Sequence, residues 1–406
     1  MKVIDFTSFV VGTPPPGNGG RYFIFVKLTT DNGLVGYGEI YAGHIAPDII
    51  CAIAKDSFIR HLEGESPFGV EAFMHKMQGA GFLHRPDTTM IGVASGLEMA
   101  IWDIIGKATD QPVAHLLGGR VHERLRVYTY LYPDDGEDAG QFYADPIRAG
   151  EKAAYQVSQG FTAVKCDPAG QYSIYDPRQP DLESLTRSAS FCRSIREAVG
   201  DQADILFGTH GQFTPTGAIR MAEAIAPYQP LWFEEPTPPH APEEMALVAQ
   251  QSSVPVSAGE RLCTLYEFQR LATHKAASIW QPNLGRAGGL LEGKKIAALA
   301  QAHYCQIAPH LYCGPLVAAA NIQLAATLPN FLILESIEKM QGFHATLLKT
   351  PLQVEDGHMI VPTTPGLGVE LDEDVASAHP YQGDKLHLEM AQEPFSAHKH
   401  RYFPGG

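Results

Sequence analysis

The sequence predicts a (β/α)8 barrel carrying a small α+β capping domain, and three observations predict it. Beyond residue 126, eight short apolar runs of the size of buried parallel strands alternate with amphipathic helical stretches. Before it, a hairpin is followed by helices, the texture of a separate α+β layer. No GxGxxG follows a first strand and no phosphate-binding loop occurs, so the usual reason for an open doubly wound sheet is missing.

In chain order, residues 1–125 are read as the cap. Tyr22 to Leu28 and Leu34 to Ile40 are β-rich runs around an Asn32-Gly33 turn, the chemistry of a tight hairpin. Thr13 to Gly20, rich in proline and glycine, is a loop and a candidate flap over the site. Thr89 to Thr109 is helical, with apolar residues at Val93, Leu97, Ala100, Ile101, Ile104 and Ile105. The barrel spans 126–359. Its runs are Leu125–Tyr130, Ala163–Asp167, Asp204–His210, Leu231–Glu235, Val254–Glu260, Ser278–Asn283, Cys305–His310 and Phe331–Glu335. Pro215–Ala226, Glu243–Gln251 and Gly289–Tyr304 are the clearest helices between them. The tail from about 360 to 406 is read as completing the cap.

Composition excludes several classes. The chain has 406 residues, 45% hydrophobic and 18% charged, which suits a folded enzyme rather than a disordered chain. A net charge of −15 opposes nucleic acid or an anionic membrane, although a metal or a few cations can reverse the sign locally for a small anionic substrate. The six cysteines form no CxxC pair, which argues against structural zinc or a disulfide framework and for a reducing cytoplasm. Met1-Lys2-Val3-Ile4-Asp5 lacks the apolar core of a secretory signal, and no apolar run approaches the roughly 20 residues of a membrane span. A soluble cytoplasmic protein is expected.

Seven successive apolar runs finish on residues able to do chemistry: Lys165 and Asp167, His210, Glu234 and Glu235, Glu260, Asn283, His310, and Glu335. Barrel strand ends share one face, so these side chains are expected to form one ring. Crowded charges cost free energy unless paired or bound to a metal. Two glutamates from adjacent strands make a hard oxygen site suited to Mg²⁺. Such a cation stabilises the enediolate formed when the carbon beside a carboxylate loses its proton, with Lys or His as base and acid.

At these residues the sequence resembles the enolase superfamily, specifically the mandelate racemase subgroup with its galactonate- and mannonate-type sugar-acid dehydratases. The similar segments are Phe233-Glu234-Glu235-Pro236, Gly259-Glu260-Arg261, Gln281-Pro282-Asn283 with Gly288-Gly289, Ala308-Pro309-His310, Leu334-Glu335 and Pro365-Gly366-Leu367-Gly368-Val369. Upstream, Ala100 to Ile104, Lys107 and Leu117-Gly118-Gly119 resemble the end of that family's cap. The resemblance implies that Glu234 and Glu260 ligate Mg²⁺ and that His310 is the general base. It gives Glu335 a hydrogen bond to the substrate carboxylate or enediolate, and His210 the role of acid on the departing hydroxyl. Lys165 matches the first lysine of the racemase KxK motif, with Asp167 at the second, so Lys165 stands as an electrostatic partner or a base. Two positions depart from the pattern. Gly208 stands where the first metal ligand is normally Asp or Glu, leaving water, Thr209, His210 or Asp167 to fill the gap. Asn283 stands where an Asp orients the catalytic His.

The family's cap loops set substrate choice, which makes His44, His84 and Arg85, with Asp167 below them, the substrate-binding candidates. The expected activity is Mg²⁺-dependent dehydration of an aldonate or aldarate to a 2-keto-3-deoxy acid. An epimerase or cycloisomerase, or a sugar-acid binder with a degenerate metal site, stands as the alternative. The expected partner is a small sugar acid, and the resemblance implies a homo-oligomer.

Overall fold

A computed structural model describes residues 1–85 and 87–395. The cap sheet is an antiparallel meander of β1 (Val3–Gly12), β2 (Tyr22–Thr30) and β3 (Val35–Ile40). The Asn32-Gly33 turn sits where the sequence places it: Gly33 has φ +84° and donates its N–H to Thr30 O at 2.9 Å. Strand β1 escaped the sequence reading because it is a largely solvated edge without clean alternation. Helices α1 (Pro47–His61) and α3 (Thr88–Thr109) pack on this sheet, and α2 (Val70–Gly79) packs on both helices. Asp87 caps α3 by accepting from Met90 N at 2.9 Å. The helix is long and apolar enough to cross a membrane, but most of it is buried inside the cap. It lies so close to the sheet that a Cβ on Gly38 would fall 2.0 Å from Gly96 O, and one on Gly36 2.1 Å from Ala100 O.

The barrel strands are β4 (Arg124–Tyr130), β5 (Ala163–Cys166), β6 (Asp204–Phe207), β7 (Trp232–Glu234), β8 (Val256–Ala258), β9 (Ile279–Trp280), β10 (Gln306–Ile307) and β11 (Leu334–Ser336). Each pairs in parallel with the next as far as β10. β11 pairs in parallel with β4, and a parallel bridge between Ile307 and Phe331 closes the ring. Tyr128, Ala163, Leu206, Trp232, Ile279, Ala308 and Ile333 form one apolar cluster, with residues drawn from seven of the eight strand regions.

Helices α4 (Pro146–Ser158), α5 (Leu182–Val199), α6 (Pro215–Ile225), α7 (Pro242–Gln251), α8 (Thr264–His274), α9 (Gly289–Ala302) and α10 (Pro315–Ala325) follow β4 to β10 in turn. Among the described residues the eighth unit has no long helix. After β11 the chain makes one short turn, Phe343–Thr346, and a hairpin of β12 (Val354–Glu355) and β13 (His358–Ile360) that adds antiparallel to the start of β4. The chain then returns to the cap. Buried Asp103 of α3 accepts from Leu367 N and Tyr37 N at 2.9 and 3.0 Å and pairs with Lys107 Nζ at 2.8 Å. Gly12 N bonds His379 O at 2.8 Å. Of the segment read as completing the cap, 396–406 lies outside the described residues.

Candidate active site

Parallel pairing in register brings the strand ends together. Cys166 on β5 pairs with Phe207 on β6, so the next residues, Asp167 and Gly208, lie side by side. A Cβ on Gly208 would fall 1.8 Å from Asp167 Oδ1 and 3.0 Å from Lys165 Cε. The space that a ligand side chain at 208 would need is therefore filled by the Asp167 carboxylate from the neighbouring strand. Thr209 is turned away from the ring and donates its hydroxyl to Glu234 O at 2.5 Å.

The centre is a buried charge network. Lys165 Nζ lies 2.5 Å from Glu234 Oε1 and 3.6 Å from Glu335 Oε1. Glu234 Oε2 accepts from Trp232 Nε1 at 3.0 Å and Gln281 Nε2 at 2.8 Å. Burial raises the Glu234 and Glu335 carboxyls, and burial alone would depress Lys165, but the two glutamates outweigh it and hold the lysine as ammonium. Glu335 Oε2 accepts from Leu311 N at 2.8 Å. Glu260 lies between two imidazoles, with His310 Nε2 at 3.3 Å and His210 Nε2 at 3.5 Å. Burial opposes its ionisation, yet His210, His310, Lys165 and Arg261 prevail and hold it well below the usual carboxylate range. Burial pushes His310 down to about 4, so the ring is neutral at neutral pH. On the far side, His210 Nδ1 faces Asp167 Oδ2 at 3.6 Å, and Tyr172 donates its hydroxyl to the same carboxylate.

Asn283 occupies the orienting position behind His310, with an unexpected consequence. Its Oδ1 accepts from Gly285 N at 2.9 Å, which turns Nδ2 toward His310 Nδ1, also at 2.9 Å. The amide donates, so Nδ1 must accept, and a neutral His310 then carries its proton on Nε2. A carboxylate at 283 would select the opposite tautomer.

Glu235 is buried and accepts from Arg261 Nε at 2.7 Å. Of the three cap candidates, His44 is exposed and bonds Thr89 Oγ1 at 2.7 Å, while His84 and Arg85 are exposed on the loop entering α3. Sequence reasoning missed Trp232 and Tyr172 and gave no role to Gln281. Two-residue spacing on a strand was the available signal for Trp232 before Glu234 and Gln281 before Asn283. Nothing marked Tyr172, which reaches the ring from a loop.

One donor atom each from His210, Glu234 and Glu260 lies within 4.8 Å of the others. Glu260 Oε2 is buried without a hydrogen-bond partner. Two carboxylates, one imidazole and an unsatisfied anionic oxygen fit a divalent cation.

Residues 18–118 match the model of the mandelate racemase/muconate lactonizing enzyme N-terminal domain, and 148–375 match the enolase C-terminal domain-like model. The chain belongs to the mandelate racemase/muconate lactonizing enzyme family. Within this family it is 32% identical to a D-xylonate dehydratase of Haloferax volcanii over 91% of this chain and 88% of that one. It is 30% identical to a D-galactonate dehydratase of Pectobacterium atrosepticum over 92% and 93% of the two chains. The crystal structure of a mandelate racemase/muconate lactonizing enzyme from Sulfitobacter sp. is 52% identical with a TM-score of 0.96, covering 98% of this chain and 100% of that one. A mandelate racemase/muconate lactonizing enzyme-like protein from Roseovarius sp. TM1035 is 50% identical with a TM-score of 0.95, covering 97% and 99%. The barrel and cap are thus those of the enolase superfamily, as the motifs implied.

Proposed function

We propose that this enzyme dehydrates a sugar acid, removing the proton α to the carboxylate and expelling the β-hydroxyl to give a 2-keto-3-deoxy acid. The observation that carries this reading is the pair of imidazoles, His310 and His210, set 3.3 and 3.5 Å from the two oxygens of Glu260. Elimination needs a base and an acid around one carboxylate-bearing carbon, and this pair supplies both. The D-xylonate and D-galactonate dehydratase names of two relatives agree with it.

Glu234 and Glu260 are the residues that would hold the cation, Mg²⁺ by family resemblance, with His210 beside them kept for the acid step. When bound, it supplies positive charge to the substrate carboxylate and its enediolate. Lys165, buried and held as ammonium, adds positive charge to the same region, and Glu335 positions it. His310 takes the α-proton on Nε2. The tautomer able to do so, protonated on Nδ1, forfeits the Asn283 hydrogen bond, about 1 kcal/mol or roughly a factor of five in rate. His210, on the Asp167 and Tyr172 side, gives a proton to the departing hydroxyl. The clamp of Lys165 between two glutamates opposes the isomerase reading, which needs a lysine free to accept a proton.

The test is to incubate the purified protein with a library of aldonic and aldaric acids and Mg²⁺, and to assay 2-keto-3-deoxy products. Turnover of at least one acid, lost in His310→Asn, is expected. No turnover across the library, with metal shown bound, refutes the reading.

A further inference from the structure

The C-terminal segment 380–395 crosses from the cap to the barrel mouth and ends beside the catalytic ring. It starts on the cap sheet, where Tyr381 N bonds Val10 O at 2.9 Å. Midway, Arg21 donates to Leu386 O at 2.7 Å, and the His387 side chain enters the interior, with the residue only 4% exposed. The His387 ring meets Tyr41 edge-on at 5.1 Å, and Tyr41 in turn packs on His310 at 6.2 Å. The loop opposite is cut to fit: a Cβ on Gly20 would fall 2.0 Å from His387 Nε2. Further on, Ala391 N bonds Tyr172 O at 3.0 Å, and Ile174 N bonds Ala391 O at 3.1 Å. Tyr172 stands edge-on to His210 at 4.6 Å and donates to Asp167.

One strand of chain thus backs the aromatic wall of each catalytic imidazole, Tyr41 behind His310 and Tyr172 behind His210. We propose that residues 380–395 are a structural part of the active site. In this reading His387 is a positioning residue that holds Tyr41 against His310, and the Ala391 backbone holds Tyr172 against His210. Cap loop and barrel loop are joined across the mouth by this strap, which sets how freely solvent and substrate reach the ring. Fixing an aromatic wall matters because a misplacement of about 1 Å at a reacting group costs on the order of a hundredfold in rate.

The inference rests on the dehydratase reading only for its kinetic arm. Diethylpyrocarbonate, with modified histidines located by peptide mass spectrometry, tests it without turnover. In His387→Ala the modification rate of His310 should rise about tenfold while that of His210 stays the same. In Ala391→Pro, which removes the N–H given to Tyr172 while keeping the carbonyl that Ile174 N bonds, His210 should respond and His310 should not. His387→Phe keeps a flat ring against Tyr41 and should restore protection. With an acid the wild type turns over, His387→Ala should lower kcat about tenfold and leave KM within about twofold, and His387→Phe should recover most of it. If both histidines react at wild-type rates in both variants, each shown folded by circular dichroism, the strap is refuted. A wild type inert toward every acid but with these protection patterns refutes the reaction and leaves the strap standing.

Discussion

Gly208→Ala is a sharp test of how the ring replaced its missing ligand. The backbone at 208 is not left-handed, so alanine carries no conformational penalty there, and the whole cost is steric. The new methyl falls 1.8 Å from Asp167 Oδ1 and 3.0 Å from Lys165 Cε. Neither neighbour yields cheaply: Asp167 accepts from Tyr172, and Lys165 is held by Glu234 at 2.5 Å. Overpacking a filled interior costs about 1–3 kcal/mol, and losing a charge-assisted hydrogen bond adds about 1.5–3 kcal/mol. A loss of roughly 2.5–6 kcal/mol is expected, read from urea unfolding as a lower midpoint with an unchanged slope. Placing the same alanine in an Asp167→Gly background removes the 1.8 Å clash and leaves only the 3.0 Å approach to Lys165 Cε, so there the further cost should fall to about 1 kcal/mol. Gly208→Ala as stable as the wild type would refute the claim that Asp167 fills this space.

Asn283→Asp should raise kcat by at least about fivefold, because a carboxylate accepts from His310 Nδ1 and leaves the Nε2 lone pair facing substrate. An unchanged or lower kcat would remove the tautomer argument. Glu234→Gln should abolish tight Mg²⁺ binding by calorimetry, and tight binding in that variant would displace Glu234 from the ligand set. Buried Glu39, which accepts from Gly314 N and Val317 N at the start of α10, is pushed up to about 7 by burial. Its folded-state value is raised, so the native state binds the extra proton between about pH 4.5 and 7, and stability falls as pH rises through that window. Glu39→Gln should flatten this slope by on the order of 3 kcal/mol in unfolding titrations. An identical slope would refute it.

The barrel was readable because its strands are continuous apolar runs that end on polar residues, a pattern fixed by burial on both faces. Glu234, Glu260, His310 and Lys165 were readable for the same reason, since strand ends share one edge. The edge strand β1 and the hairpin at β12 and β13 were not, because short or solvated strands are stabilised by partners distant in sequence. The roles of Gly208 and Asn283 depend on what lies beside them. Only the register of β5 on β6 shows Asp167 in the empty place, and only the Gly285 N–H shows which way the Asn283 amide faces.

The Asp103 junction bears on how the chain is made. During synthesis β1 to β3 and α3 leave the ribosome first, yet Asp103 finds Leu367 N, and β1 finds residues 379–381, only after the whole barrel has emerged. Until then Asp103 has only its Tyr37 and Lys107 partners and the β1 edge stands open, an arrangement exposed to edge-to-edge association. Nascent chains stalled before residue 367 would therefore depend on chaperones that shield the β1 edge, and emergence of residues 367–381 would be the step that closes it.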